Sequence, residues 1–323
     1  MPKERTRVSV VSPCYNESDS LPAFIERLQT VMAPLSDRFD FEIVLVDDGS
    51  SDDTVEIAKS FIKDEPRLRV VELRRNYGQS TALQAGFDHA TGSIVISMDA
   101  DLQHFPEDIP AFLDAIDEGS DVVCGWRHDR KEGVKRKFPS RVANGLIRLL
   151  TGLTIHDIGT TFRAYKKEIL DDIQLLGEHH RFVPVYAAAA GAKISEIKIE
   201  NVERPHGTSN YGLGRTVNVF FDLFFIFFYS RFLDRPIRIF GMVAAFFFGL
   251  ATLISLGLIL VWLLQGVPVV RDHSGWFIVA IAFYLTAIQV LMTGVLAEVI
   301  VRTYFQSGQK PSYRVRQLWS ANT

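Results

Sequence analysis

Ile94-Val95-Ile96-Ser97-Met98-Asp99-Ala100-Asp101-Leu102-Gln103 runs a short β-branched segment straight into two aspartates one residue apart. The apolar part is too short for a helix and lacks polar alternation, so it reads as a strand buried on both faces, as a parallel sheet requires. Working outward, Arg7–Val11, Phe41–Val46 and Arg69–Leu73 have the same character, and Ser20–Ala33, Asp53–Asp64 and Gln79–Ala90 carry helical spacing between them. This alternation predicts right-handed βαβ units and an α/β fold with a mostly parallel sheet. Such sheets bind ligands beyond the carboxyl ends of their strands. The four runs end there in Pro13-Cys14-Tyr15-Asn16-Glu17-Ser18, Asp47-Asp48-Gly49-Ser50-Ser51-Asp52, Arg74-Arg75-Asn76-Tyr77-Gly78 and Asp99 to Gln103. Taken singly, each cluster has an ordinary reading as a helix cap or turn. Four of them on one sheet edge mark a site.

The residue types suggest its chemistry. Carboxylates at Asp99 and Asp101 suit a hard divalent cation, Mg²⁺ or Mn²⁺, which takes oxygen ligands and completes its shell with substrate phosphates; Gln103 can add a carbonyl oxygen. Such a cation screens a nucleoside diphosphate as it leaves. Arg74 or Arg75 can assist the same phosphates, Asp47 can accept hydrogen bonds from a base or ribose, and Tyr15 can stack.

Composition narrows the classes further. Among 323 residues, 35 Lys and Arg against 38 Asp and Glu leave a formal charge of −3, so no basic surface advertises nucleic acid. With 47% hydrophobic residues, disorder is excluded. Cys14 and Cys124 form no disulfide framework, which fits a reducing compartment, and the opening residues lack the apolar core of a signal peptide. The hydrophobic excess is concentrated: between Ile239 and Val301 only Arg271, Asp272 and Glu298 are charged. Ile239–Leu264 and Trp276–Ala297 are each long enough to cross a bilayer core, which takes about 20 helical residues. Arg231, Arg235 and Arg238 precede the pair, and Arg302, Lys310, Arg314 and Arg316 follow it, so the positive-inside rule expects both chain ends in the cytoplasm. Val217–Leu233, aromatic but broken by Asp222 and Arg231, reads as a helix lying in the membrane interface.

At this point P-C-Y-N-E, V-D-D-G-S-S-D, N-Y-G-Q-S-T-A-L-Q-A-G-F and D-A-D-L-Q together resemble the inverting family 2 glycosyltransferases of GT-A fold, and within them the polyprenyl-phosphate branch. The resemblance covers nearly the whole chain, spans included. It implies a GT-A nucleotide-sugar transferase domain over residues 1–210, an interfacial segment over 211–236, a transmembrane hairpin over 237–305 with spans near 239–264 and 276–301, and a cytoplasmic tail over 306–323. Pro13, Tyr15, Glu17, Asp47 and Asp99 would then line the nucleotide pocket, with Asp99, Asp101 and Gln103 at the metal. Arg127, Arg141 and Arg163 would take the acceptor phosphate, and Asp157, in His156-Asp157-Ile158-Gly159-Thr160-Thr161-Phe162-Arg163, would be the catalytic carboxylate, as base or as orienting group. The family's Ser-Lys-Tyr in the donor-closing loop stands here as Ser209-Asn210-Tyr211, so Arg204 becomes the expected diphosphate contact.

The resemblance implies an enzyme of the cytoplasmic (inner) membrane. It would move a sugar, with glucose or N-acetylglucosamine as first guesses, from a nucleotide diphosphate (UDP by preference) to undecaprenyl phosphate, as a homo-oligomer, a tetramer in related proteins. Two alternatives stay open: a processive polysaccharide synthase, although no Q-x-x-R-W element is present, and a catalytically dead membrane scaffold. The tail, with Tyr313, Leu318 and Trp319, either docks on a neighbouring subunit or is disordered.

Overall fold

The structure, a computed structural model, describes residues 5–128, 155–171, 173–175, 179–200, 237–266, 268–306 and 313–321. The described residues form the strands β1 (Thr6–Cys14), β2 (Phe39–Asp47), β3 (Leu68–Leu73), β4 (Ile94–Ser97), β5 (Val122–Arg127), β6 (Arg163–Lys166), β7 (Ile194–Ile199) and β8 (Val315–Trp319). Helices α1 (Leu21–Met32), α2 (Thr54–Phe61), α3 (Gln79–His89), α4 (Ile109–Asp117), α5 (Lys167–Asp171) and α6 (Val183–Ala189) connect them. A second unit, Phe227–Lys310, contains α7 (Ile237–Gln265), α8 (Val269–Asp272) and α9 (Ser274–Gln306).

The strands form one sheet in the order β7-β5-β6-β4-β1-β2-β3-β8. Its centre is parallel, β3-β2-β1-β4, because each strand is joined to the next by a helix. The chain winds from β1 outward to β3 and then crosses back to put β4 on the other flank of β1. That reversal is the point where an open α/β sheet leaves a crevice. Pro13 widens it. Val11 accepts the N–H of Met98 at 3.1 Å, so the residue two further on should pair with the same neighbour, but proline has no N–H to give. The β1–β4 ladder stops at Val11↔Ser97, and the Ser12 hydroxyl donates to the Met98 carbonyl at 2.7 Å instead. Beneath the crevice, Val8, Val10, Ile43, Leu45, Ile96 and Phe162 are fully buried, each contributing roughly 1.5–3 kcal/mol of hydrophobic stabilisation.

Two features depart from the sequence reading. β6 enters antiparallel between β4 and β5, so the residues before it, 155–162, arrive at the carboxyl end of β4. The tail is ordered over Val315–Trp319, which adds β8 antiparallel to β3 in its own sheet. Arg316 donates to Glu72 Oε1 at 3.0 Å, Lys59 lies 4.1 Å from the Trp319 ring centroid, and Tyr313 donates to Asp88 at 2.9 Å.

In the second unit, α7 and α9 have 29 and 33 residues, about 44 and 50 Å at 1.5 Å per residue, against a bilayer core of about 30 Å. Their most apolar 18-residue stretches have mean hydropathies of 2.4 and 2.1, and their outer faces expose Phe246, Leu253, Ile278 and Leu285. Small residues seven apart turn inward, Ala244 and Ala251 on α7, Ala280 and Ala287 on α9, so that the backbones approach closely. Gly294 continues the second series: a Cβ there would stand 2.5 Å from Phe240 Cβ. Thr252 and Tyr284 hydroxyls meet across the hairpin at 3.2 Å. The interfacial segment expected over 217–233 lies outside the described residues.

Candidate active site

The crevice is a cleft of about 500 Å³, within the usual size of a small-ligand site. Pro13, Tyr15 and Glu17 line it from the end of β1, and Asp99 and Asp101 from the end of β4. Tyr15 is 47% exposed, an open aromatic face at the rim. Asp99 is held in place, accepting Gln79 Nε2 at 2.8 Å and Thr161 Oγ1 at 2.7 Å. Asp101 is 6% exposed and accepts the Gln103 N–H at 3.1 Å across Leu102, which sits at φ +59°. Left-handed backbone costs a residue with a side chain about 1–2 kcal/mol. Here it turns the chain sharply enough to keep both carboxylates at the strand end. Asn16, at φ 54°, makes the equivalent turn after β1, its side chain accepting the Ser51 N–H at 2.8 Å.

Glu17, Asp19, Asp48, Asp99 and Asp101 all line the cleft, and among the described residues no Lys or Arg does. A divalent cation would offset the repulsion between these carboxylates and an anionic diphosphate. Asp99 and Asp101 fit one that takes few protein oxygens, as Mg²⁺ does. Among the described residues no third His, Cys, Asp or Glu joins them, so substrate oxygens and water would supply the remaining positions.

Several expectations need correction. Asp47 is 1% exposed, and its carboxylate turns back to accept the N–H of Gly49 at 3.0 Å and of Ser50 at 3.2 Å. It cannot also face a nucleotide; burial pushes its carboxyl above the ordinary range. Asp48 lines the cleft in its stead, accepting the N–H groups of Tyr77 at 2.7 Å and Gly78 at 2.8 Å. Gly49 allows this turn, with φ +72° and its missing Cβ directed at Arg75 carbonyl carbon, 2.4 Å away. Gln103 and Arg74 do not line the cleft. Arg74 is exposed, its backbone paired with Arg314 and Arg316 of the β8 segment.

Arg127 ends β5, and Asp157 lies in the stretch that leads into β6. The two form a bidentate pair, Nε to Oδ2 at 2.6 Å and Nη2 to Oδ1 at 3.0 Å, both largely buried. Gly159 N–H also donates to Asp157 Oδ1 at 3.1 Å. Arg163 belongs elsewhere. It is 1% exposed and its guanidinium donates to the carbonyls of His180, Ile158 and Arg181 at 2.9, 2.6 and 3.1 Å. A cation so enclosed holds loops together and offers nothing to an incoming phosphate, so it leaves the acceptor set. Arg141, and Arg204 with its loop, lie outside the described residues.

Sequence reasoning passed over Gln79, Thr161 and His104. His104 is 3% exposed, close enough to Asp101, Asp157 and Arg127 to feel all three charges. Burial, with Arg127 second, lowers its pKa to about 4, so the ring is neutral at pH 7. The adjacent D-x-D was the only signal.

The family model of glycosyl transferase family 2 matches residues 9–174. The chain is 37% identical over 98% of its length, and 94% of the relative's, to a dodecaprenyl-phosphate galacturonate synthase of Rhizobium johnstonii. It is 39% identical over 98% of its length, and 95% of the relative's, to an undecaprenyl-phosphate 4-deoxy-4-formamido-L-arabinose transferase of Edwardsiella ictaluri. Among solved structures, a glucosyl-3-phosphoglycerate synthase of Mycobacterium tuberculosis, crystallised with Mn²⁺ and uridine diphosphate, superposes with a TM-score of 0.52 at 19% identity, covering 70% of this chain and 78% of that one. That likeness concerns the fold. The chain belongs to glycosyl transferase family 2 and is an enzyme of the sugar-transferring class. The relatives' sugars, galacturonate and 4-formamido-arabinose, differ from the glucose and N-acetylglucosamine guessed from sequence.

Proposed function

We propose that this protein transfers a modified sugar, galacturonate or 4-deoxy-4-formamido-L-arabinose, from a uridine diphosphate donor to the phosphate of a polyprenyl phosphate. One observation carries the reading: Thr161 donates to Asp99 at 2.7 Å, so the segment bearing Asp157 is tied to the carboxylates of the donor cleft. On this reading a single loop would serve both substrates.

On this reading the acceptor phosphate oxygen attacks the anomeric carbon. The bond from that carbon to the diphosphate breaks on the opposite face, its electron pair leaves with the nucleotide, and configuration inverts. A phosphate monoester has a second pKa of about 6 and is largely dianionic at neutral pH. Asp157 therefore has no proton that it must remove, and its work is to orient Arg127 and the acceptor and to steady positive charge at the sugar carbon. Arg127 supplies a planar fork for two phosphate oxygens. A divalent cation on Asp99 and Asp101 would screen the departing diphosphate. Tyr15 offers its face to the base.

The hairpin of α7 and α9 suits a lipid-borne acceptor. β7 precedes it and β8 follows it in one sheet, which is consistent with two crossings and with both flanking segments on one side; the arginines around the spans favour the cytoplasm.

The test is a donor panel with undecaprenyl phosphate and Mn²⁺ or Mg²⁺, counting label extractable into organic solvent. We expect a monoglycosylated lipid from the uronate or the formamido-pentose donor and little from UDP-glucose. An insoluble polymer, or nucleotide binding without any lipid product, would overturn the proposal. Asp101→Asn should lower turnover about 100-fold or more at saturating metal, a loss of the size seen when one electrostatic contact to the transition state goes.

A further inference from the structure

β7 runs parallel to β5 with Cys124 opposite Glu196 and Trp126 opposite Lys198, beside the strand that ends in Arg127. Ile197 and Ile199 pack on the core, whereas Glu196 brings a carboxylate to a place where its side chain is only 13% exposed. A carboxylate withdrawn from water needs donors. Glu196 finds them in a single dipeptide: Oε1 accepts the N–H of His156 at 2.7 Å and of Asp157 at 3.3 Å, and Oε2 accepts the Nδ1–H of His156 at 2.7 Å. The His156 ring is stacked on Trp126, centroids 4.2 Å apart and planes 16° off parallel, and Lys198 Nζ lies 5.4 Å from the same indole. Trp126 is the neighbour of Arg127. One strand therefore braces both members of the Arg127–Asp157 pair from behind.

A second carboxylate so near Asp157 carries a repulsive cost. What it obtains is a fixed main chain, because charge-assisted hydrogen bonds are directional and this carboxylate takes a short one from the His156 N–H and a longer one from the Asp157 N–H. We infer that Glu196 is a positioning residue of the acceptor half, holding the His156-Asp157 main chain so that the Asp157 carboxylate meets Arg127, and the phosphate Arg127 receives, in one geometry. The inference rests on the reading of Asp157 and Arg127 given above.

The experiment compares Glu196→Ala, Glu196→Gln, Asp157→Ala and Arg127→Ala in the full-length protein. It measures kcat, the KM for undecaprenyl phosphate, Mn²⁺·UDP affinity by calorimetry, and unfolding temperature. Glu196→Ala should lower kcat about 100-fold, the cost of misplacing a reacting group by about 1 Å, with little change in either KM or Mn²⁺·UDP affinity. Glu196→Gln keeps a carbonyl oxygen for the two N–H groups and should recover most of that loss. Wild-type kcat in Glu196→Ala alongside an inactive Asp157→Ala overturns the inference. So does loss of nucleotide affinity and thermal stability in step with activity, without rescue by Gln. If Asp157→Ala and Arg127→Ala both keep wild-type kinetics, the reading of the acceptor half itself fails, whatever Glu196 does.

Discussion

Asp108, the residue before α4, has one carboxylate oxygen buried with no hydrogen-bond partner among the described residues. Burial first, then Glu200 and Glu107, push its carboxyl up to about 6. A carboxyl raised in the folded state withdraws stability as pH climbs: nothing is lost below about pH 4, and the full penalty is present above 6. Asp108→Asn should therefore stabilise the protein at pH 7.5 by about 1–2 kcal/mol, after discounting for partial exposure, and much less at pH 4.5. Thermal unfolding at the two pH values checks this, and an equal gain at both refutes it. Arg163 makes a contrasting case. Arg163→Met leaves buried carbonyls without donors and should cost about 3–5 kcal/mol of stability, whereas Arg127→Ala should chiefly raise the KM for the lipid phosphate. Sequence could not tell these arginines apart, since each borders a short strand; burial separates them. Likewise Asp47 and Asp48 are adjacent and alike, and only the left-handed turn at Gly49 decides which one faces the cleft.

Among the elements, β1 to β4 and α1 to α3 were readable because apolar runs bounded by turns are local signals. β5 to β8 were not. β6 has four residues, and β8, Val-Arg-Gln-Leu-Trp, pairs with a strand far back in the chain. Its attachment has measurable weight. Ending the chain after Gln309 removes Arg316 and Trp319 from Glu72, which is only 8% exposed, and frees the edge that holds Arg74. We expect a lower unfolding temperature and weaker Mn²⁺·UDP binding, because Asn76 and Gly78 of the following loop line the cleft. Unchanged nucleotide affinity would separate β8 from the site. In the hairpin, Gly294→Val forces Phe240 aside and should lower thermal stability in detergent by about 1–3 kcal/mol, the usual cost of overpacking; an unaltered melting temperature would mean that α7 gives way without cost.

At the scale of the whole chain, the sheet takes strands from both sides of the hairpin in sequence, among the described residues seven before it and one after. Reporter groups at residue 5 and residue 321 should accordingly be accessible from the same side of a sealed vesicle, and one at Val270 from the other; residues 5 and 321 on opposite sides would contradict the two-crossing topology. The same connectivity orders events during synthesis. The outer edge of β3 has a full row of N–H and C=O groups to satisfy, and its partner is translated only after about 240 further residues, both apolar helices included. Until then this edge is a template for any stray strand. The nascent chain thus carries an adhesive margin that closes only after its two long apolar helices have been made.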